Sequence, residues 1–145
     1  MNSDLFNRNN NVIYIFTDGS CNNNIPNNQR RCGFGIYFPF NEFKNVKGTI
    51  QSNNKTNQLG EVYAMYHLFK QILSDYNYDK NIIIFSDSMY VINCITEYSP
   101  KWKSYGWTKS DGSDICHLSY IKYIYEIYEK NSVSLMDVSS EGTVK

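Results

Sequence analysis

The chain has 145 residues, of which 41% are hydrophobic and 16% aromatic, and its 14 basic side chains balance its 14 acidic ones. This length is enough for one domain with one hydrophobic core. Because the net charge is zero, a polyanionic partner has to be held by a local patch rather than by the field of the whole protein. No apolar run reaches the length that crosses a bilayer, so we expect a soluble protein with no membrane partner.

The four cysteines are widely scattered, at Cys21, Cys32, Cys94 and Cys116, and none belongs to a C-x-x-C pair. The sequence also shows no signal peptide. Both features favour free thiols in a reducing compartment. We therefore expect an intracellular protein, cytoplasmic or nuclear and of viral or cellular origin, without a thiolate metal site.

Strand patterns dominate the first part of the chain. Residues 1–11 are polar and rich in Asn, which predicts a disordered tail ahead of a domain over residues 12–145. Residues 12–17 form a continuous run of β-branched and aromatic side chains, typical of a strand buried on both faces. An Asn-rich loop and a strand meander follow, with the loop at 21–31, the strands at 33–38 and 43–50 and their turn at 39–41.

From residue 58 onward the pattern alternates between helix and strand. Apolar side chains recur at helical spacing over residues 58–76. The remaining predicted elements are a strand at 81–86, a helix at 88–98, a loop at 99–113, a helix at 114–130 and a strand at 133–138. Ser113 is the expected N-cap of the last helix. Strands followed by alternating helices and strands predict an α/β layered domain with a mixed sheet.

Two aspartates, Asp18 and Asp87, each follow a buried strand in the similar phrases TDGS and SDSM. An aspartate in this place is commonly a turn or N-cap residue. In open sheets, however, ligands bind where the carboxyl ends of neighbouring strands meet. If the two strands are adjacent, the carboxylates face each other and repel, unless a cation lies between them. The repeated phrase favours such a shared site.

Glu61 is the third acidic residue in a telling position. Met65, Leu68 and Ile72 follow it at i+4, i+7 and i+11, so the glutamate stands at the head of an apolar stripe. The helix dipole stabilises a carboxylate there by about 0.3–1 kcal/mol, but it does not require the side chain to face inwards. A hard divalent cation held by three carboxylates explains both the burial and the charge. This arrangement indicates metal-assisted phosphodiester hydrolysis.

Four motifs in order carry a resemblance that covers residues 12–138. They read TDGSC, TNQLGEVYAM from Thr56, SDSMYVINCITEY from Ser86 and then KWKSYGW. Together they resemble ribonuclease H, type 1, of the eukaryotic-like branch. The resemblance implies a ribonuclease H-like five-stranded mixed sheet flanked by helices. It also implies an endonuclease that hydrolyses the RNA strand of RNA–DNA hybrids and leaves 5′-phosphate and 3′-hydroxyl ends.

The resemblance further implies two Mg²⁺ ions, about 4 Å apart in sites of this kind. By position, Asp18 would bridge both ions, and Glu61 and Asp87 would complete the shell of the ion at the leaving group. In this reading one ion activates the attacking water, while the other stabilises the leaving 3′ oxygen.

The same resemblance implies contacts to the hybrid. Asn24, Asn57 and Gln58 match family residues that recognise the 2′-hydroxyls and the minor groove, a role that suits side chains with both donors and acceptors. Thr56 matches a ligand of the DNA phosphate. An arginine that commonly precedes that threonine is replaced here by Asn54, so we expect a weaker grip on the backbone.

The segment 101–109 interleaves aromatic and basic side chains, which suits a groove for a sugar–phosphate backbone. The plain alternative is a solvated loop that one tryptophan anchors to the core. We expect Trp107 to be the anchor, and Trp102 and Lys103 to contact the DNA strand.

The C-terminal sequence departs from the family pattern V-P-G-H-S-G. Residues 135–143 read LMDVSSEGT, with Glu141 in place of the histidine and Ser140 in place of the glycine, and the chain stops before a fourth family carboxylate. We expect this change to affect activation of the water. Asp137, Glu141 or waters are then candidate substitute ligands. Three outcomes stay open: retained activity, which we favour, weak or mainly Mn²⁺-dependent activity, or a hybrid-binding protein that does not cut.

The sequence also leads to expectations about one sheet face and about the two histidines. Without the family's terminal helix, part of one sheet face stays uncovered, and this apolar surface could drive self-association. His67 and His117 match no family histidine near the site, and both are expected to be ordinary surface residues.

Overall fold

The structure is a computed structural model that describes residues 9–22, 25–51 and 57–138, with the backbone alone at Asn27 and Asn57. The predicted N-terminal tail falls mostly outside these ranges. The predicted domain boundary at residue 12 coincides with the start of the first strand.

Five strands form one mixed sheet. They are β1 (Val12–Cys21), β2 (Cys32–Tyr37), β3 (Val46–Ile50), β4 (Asn81–Ser86) and β5 (Val133–Asp137), in the spatial order β3-β2-β1-β4-β5. The pairs β1–β2 and β2–β3 are antiparallel, whereas β1–β4 and β4–β5 are parallel. The five-stranded mixed sheet expected from the sequence is therefore confirmed, and the strand predicted at 81–86 has the predicted bounds.

Strand β1 belongs to two ladders that overlap at one residue. Its first part, from Val12 to Phe16, pairs with β4, and its second part, from Phe16 to Cys21, pairs with β2. In the described ranges, the first part has no paired strand on its β2 side. There the Tyr14 backbone N–H donates instead to the Glu42 carboxylate, at 3.2 Å. The strand thus joins an antiparallel half of the sheet to a parallel half.

The helix predicted over 58–76 is shorter and changes its winding. Helix α1 (Asn57–His67) passes into a π-helical turn, Leu68–Ile72, in which the Leu73 N–H donates to the Leu68 carbonyl at 2.9 Å. The wider turn still buries Leu68 and Phe69 fully. The apolar stripe that predicted the helix therefore packs as expected, although the last predicted turn does not form.

The boundary predicted between a helix at 88–98 and a loop from residue 99 is wrong. Helix α2 (Met89–Asn93), capped by the Ser88 side chain, continues through a π-helical turn, Cys94–Tyr98, into α3 (Ser99–Ser104). Pro100 lies in the first turn of α3, where its missing N–H costs no hydrogen bond. Proline therefore starts a new helical segment here instead of ending the run.

The last helix begins later than predicted. Helix α4 spans Leu118–Tyr128, and His117 before it has a left-handed backbone with φ of 59°. Ser113 is not its N-cap, because the Ser113 hydroxyl and N–H both donate to the Asp111 carboxylate within a turn. Of residues 114–117 only Ile115 is buried, and it lies six positions before Ile121, so it does not continue the buried stripe of α4.

The hydrophobic core lies between one face of the sheet and the helices. Helix α1 packs on β1 and β2, α2 packs on β5, and α4 packs on α1. The fully buried side chains of this core include Ile15, Ile84, Leu59, Met65, Leu68, Phe69, Ile92, Ile95 and Ile121. Among the described residues, no helix is long and apolar enough to cross a membrane.

The expectation of four free thiols is wrong for one pair. Cys21 and Cys32 lie opposite each other in the β1–β2 register, with Cα atoms 4.1 Å apart, and are joined by a disulfide. Only the strand pairing reveals this proximity, because 11 positions separate the two residues in the chain. Cys94 is buried and free, and Cys116 is exposed and free. Because two of the four cysteines form a disulfide, they no longer support a reducing compartment. That compartment stays a prediction.

Candidate metal centre

Three carboxylates from separate parts of the chain converge at one end of the sheet. Asp18, Glu61 and Asp87 each offer an oxygen atom, and these atoms all lie within 4.8 Å of one another. Asp18 and Asp87 are exposed, whereas Glu61 is half-buried. These are the three residues that the sequence predicts as catalytic and metal-binding.

The parallel register of β1 and β4 explains why the two aspartates meet. Phe16 lies opposite Phe85, and their rings stack with centroids 4.6 Å apart and planes 14° from parallel. Asp18 and Asp87 each follow two residues later. Strand β4 ends at Ser86, whereas β1 continues along β2, so strands β1 and β4 are no longer paired beyond the stacked rings. The carboxylates thus stand at the crevice where open sheets bind ligands.

A contact between two glycines places Glu61 in the same crevice. A Cβ atom on Gly19 would lie 2.0 Å from the Gly60 carbonyl oxygen and 2.7 Å from the Glu61 backbone nitrogen. Any side chain at position 19 would therefore push the first turns of α1 away from β1. Because neither Gly19 nor Gly60 has a side chain, the backbone of Glu61 lies directly against the strand that carries Asp18.

The electrostatics of the cluster call for a cation. Burial first, and then the negative charges of Asp87 and Asp18, raise the pKa of Glu61 to about 8, while a hydrogen bond from the Gly19 N–H opposes this shift. The Oε2 atom of Glu61 is buried and accepts no hydrogen bond from the described residues. A buried carboxylate oxygen without a partner is costly. A hard divalent ion would satisfy it, and carboxylate oxygens are the ligands that Mg²⁺ and Mn²⁺ prefer.

The predicted substitute ligands do not join this cluster within the described part of the chain. Asp137 is 2% exposed and lies opposite Ser86 in the β4–β5 register. Its side chain is therefore on the helix-covered face of the sheet, and it is not one of the three grouped carboxylates. Glu141 lies outside the described residues.

One of the predicted hybrid contacts can be placed next to the carboxylates. Gln58 is exposed in the first turn of α1, three residues before Glu61, so the two side chains share a helix face. Asn57 opens the same helix, and only its backbone is described. Asn24 and Thr56 lie outside the described residues.

The aromatic and basic segment after α2 is more ordered than a solvated loop. Trp102 in α3 is half-buried and packs on Tyr98, with ring centroids 5.6 Å apart. The Lys103 ammonium is exposed and donates to the Glu129 carboxylate at 2.8 Å, which raises the pKa of the lysine. Lys103 has to leave or share this partner to reach a phosphate.

Trp107 has the geometry of an anchor. Its backbone is left-handed, with φ of 66°, and its N–H donates to the Trp102 carbonyl at 2.7 Å. The indole packs edge-on against Tyr125 of α4 with centroids 5.9 Å apart. Tyr105, the third aromatic residue of the segment, is 57% exposed beside these tryptophans.

The two histidines are not ordinary surface residues. His67 is half-buried against the ring of Phe34, 4.6 Å away, and His117 is half-buried with an Nε2 atom that has no hydrogen-bond partner among the described residues. Burial lowers the pKa of both imidazoles. The expectation that both are ordinary surface residues is therefore wrong, and for His67 the covering ring is Phe34 of β2.

Two open grooves that no sequence motif predicts meet at Asp18. They have volumes of about 420 and 550 Å³ and share Asp18, Gly35 and Lys47. Gly35 and Lys47 lie in β2 and β3, far from every quoted motif. Only the strand register could have revealed them.

Comparisons with known proteins agree with this geometry. A family model described as RNase H matches residues 10–143. The chain is 29% identical over 126 residues to Ribonuclease H1 of Mus musculus, covering 87% of this chain but only 43% of the mouse protein. The chain thus spans less than half the length of that relative.

Two solved structures share the fold. The solution structure of the PFV RNase H domain superposes with a TM-score of 0.63 at 25% identity, over 88% of this chain and 79% of that one. A foamy viral protease-reverse transcriptase in complex with an RNA/DNA hybrid gives a TM-score of 0.68 at 20% identity, over 86% of this chain and 17% of that one.

Proposed function

The chain belongs to the ribonuclease H family, and from this premise we propose that it hydrolyses the RNA strand of RNA–DNA hybrids, leaving 5′-phosphate and 3′-hydroxyl ends. The observation that carries the proposal is the convergence of Asp18, Glu61 and Asp87 within 4.8 Å. Three carboxylates without a metal would repel a phosphate backbone. The cluster therefore suits a cutting enzyme better than a protein that only binds the hybrid.

The residues present fit a divalent metal centre. Asp18, Glu61 and Asp87 would hold Mg²⁺ or Mn²⁺, which supplies Lewis-acid stabilisation of the phosphate and a water of lowered pKa. The Gly19 N–H orients the Glu61 carboxylate by its hydrogen bond. The partner-free Oε2 atom of Glu61 gives this carboxylate an oxygen for a metal.

Recognition of the hybrid rests on both sides of this centre. Gln58, one helical turn before Glu61 and exposed, is proposed to contact the 2′-hydroxyl of the strand that is cut. Asn24, Asn57 and Thr56 are proposed as further contacts from their positions in the family motifs. On the other side, Trp102 and Lys103 are proposed to contact the DNA strand. The hybrid bound to the similar foamy viral structure supports this class of partner.

Self-association is a separate proposal that rests on the second face of the sheet. Half-buried Phe16 stacks there on buried Phe85, and Tyr37 beside Phe16 is 46% exposed. Sedimentation at high protein concentration tests this surface, and a monomer throughout the range would contradict it.

A direct assay tests the catalytic proposal. An internally labelled RNA–DNA hybrid is incubated with the protein and Mg²⁺ or Mn²⁺, with RNA–RNA and DNA–DNA duplexes of the same sequence as substrate controls. We expect cleavage of the RNA in the hybrid alone, and loss of it in Asp18→Asn. Cleavage that survives in the mutant would come from a contaminant. Binding of the hybrid without cleavage by either ion would support the non-cutting alternative.

A further inference from the structure

A polar trough lies beside the metal centre on the sheet face opposite α1. Asp18 of β1 lies opposite Gly35 of β2, which in turn lies opposite Lys47 of β3. Since adjacent strands are about 4.8 Å apart, Lys47 stands about 10 Å from Asp18, with no side chain between them. The next row on this face is Ser20, Gly33 and Thr49. These six residues form what we call the trough, and they line the two grooves that meet at Asp18.

The packing of the protein does not require the two glycines that form the trough floor. A Cβ atom on Gly35 would lie 3.9 Å from the Val46 carbonyl oxygen, and one on Gly33 would lie 3.4 Å from the Gly48 carbonyl oxygen. Both are ordinary contact distances, and neither glycine has a positive φ. By contrast, a Cβ on Gly48 would come within 2.9 Å of the Phe34 ring.

Glycine weakens the interior of a strand, so its presence without a steric reason needs another explanation. A strand glycine often marks a place where a ligand approaches the backbone closely. Gly33 and Gly35 are successive residues on one face of β2, the face that carries Asp18, and they leave an open path from the metal centre across this strand.

Lys47 supplies the charge for this path. It is exposed, it is the cation that lines both grooves, and no ion pair engages it among the described residues. A phosphate held by metal at Asp18 would have its neighbouring phosphate within reach of a lysine side chain on the far side of the trough. Because the net charge of the protein is zero, such a local cation is the kind of feature that holds a polyanion.

We propose that the trough binds the sugar–phosphate backbone of the RNA strand next to the scissile phosphate, with Lys47 pairing with one phosphate. This inference rests on the proposed cleavage of RNA–DNA hybrids and extends it. It assigns a positioning role to Lys47 and explains Gly33 and Gly35 as the floor over which the strand passes.

The role of the Lys47 charge is tested with Lys47→Gln, and Lys44→Gln is the control. Lys44 is an exposed lysine of the same β2–β3 hairpin and lines neither groove. Loss of one phosphate contact should weaken hybrid binding and raise KM roughly five- to tenfold at 0.1 M salt. It should also lower the slope of log affinity against log salt by about one. Lys44→Gln should change neither value.

The position of the contact is tested with hybrids in which single RNA phosphates are replaced by neutral methylphosphonates. In the wild-type protein, one replacement near the cleavage point should weaken binding as much as Lys47→Gln does. In Lys47→Gln the same replacement should have no further effect, because the partner of that phosphate is already gone. A merely structural role of Lys47 would not produce this loss of sensitivity at one position.

The floor is tested with Gly35→Ala. Its Cβ atom has room in the fold, so the melting temperature should stay the same or rise, while hybrid affinity falls because the methyl group occupies the trough. A fall in both would assign Gly35 a structural role and overturn this part of the proposal.

The outcomes separate the two proposals. If the wild-type protein cuts the hybrid and Lys47→Gln behaves like Lys44→Gln, the trough proposal fails and the proposed function stands. If the wild-type protein neither cuts nor binds hybrid, both fail.

Discussion

The metal centre and the aromatic segment around Trp102 and Trp107 are built in different ways. The carboxylates are fixed by the backbone, through the parallel register of β1 and β4 and the contact between Gly19 and Gly60. The aromatic segment is fixed by side chains at the periphery, through ring contacts to Tyr98 and Tyr125 and one exposed ion pair. A backbone-fixed site suits chemistry, which needs close positioning, whereas a peripheral one suits adjustable contact with a substrate. Changes in the first region should therefore affect kcat, and changes in the second should affect KM.

The largest effect is expected from Asp18→Asn. Removing a charged oxygen ligand from the proposed metal site should lower kcat at least about 10³-fold, since metal stabilisation of the transition state amounts to several kcal/mol. Thermal stability should not fall, because the change also removes a charge that repels Glu61 and Asp87. Single-turnover cleavage and a melting curve measure the two effects, with the exposed Asp75→Asn as the matched control. A destabilised mutant would show that Asp18 holds the fold as well.

Gly19→Ala tests whether the backbone contact positions the centre. The added methyl group collides with the Gly60 carbonyl, so α1 has to shift from β1. We expect the free energy of unfolding to fall by about 1–3 kcal/mol, as for other overpacked sites, and cleavage to fall with it. Urea denaturation measures the stability. Gly35→Ala in the neighbouring strand is the control, and equal stability of the two variants would contradict the role of this contact.

Trp102→Ala and Trp107→Ala should separate binding from folding within the aromatic segment. Loss of a stacking contact costs about 1 kcal/mol at the lower end of the usual range, so Trp102→Ala should raise KM roughly fivefold and leave kcat unchanged. Trp107→Ala removes the contact with Tyr125 and should mainly lower the melting temperature. If the two variants exchange these effects, the assignment of anchor and contact is reversed.

The smallest effect concerns the ion pair between Lys103 and Glu129. Glu129→Gln frees the ammonium group for a phosphate and should tighten hybrid binding roughly twofold at low salt, with the gain vanishing at high salt because exposed charges are screened. Lys103→Gln should weaken binding. Anisotropy titrations at several salt concentrations measure both, with Asp114→Asn, the loss of an exposed carboxylate elsewhere on the surface, as control. Equal affinities in all three proteins would remove Lys103 from the interface.

Local patterns in the sequence were sufficient for most of the fold and for the three carboxylates. The strand at 81–86 is a short apolar run bounded by polar residues, and Asp18 and Asp87 each follow such a run. Pairing of these two strands then brings the aspartates together. The position of Glu61 was visible because a charged residue heads an apolar stripe.

The missed features depend on contacts between distant parts of the chain. The disulfide between Cys21 and Cys32 and the trough at Lys47 both follow from strand register, which no local pattern reports. The start of α4 depends on the left-handed backbone of His117, and histidine carries no strong signal for that conformation. Helix α3 lies where a loop is predicted at 99–113, and its Pro100 occupies the first turn, a position that proline suits.

The β1–β2 and β1–β4 ladders share only one residue of β1, Phe16. The antiparallel half of the sheet carries Asp18, and the parallel half carries Asp87. A metal ion bound by both residues would link the two halves and limit their motion relative to each other. Amide hydrogens of residues 17–21 should then exchange more slowly with saturating Mg²⁺ than in chelator, while those of β5 keep their rates.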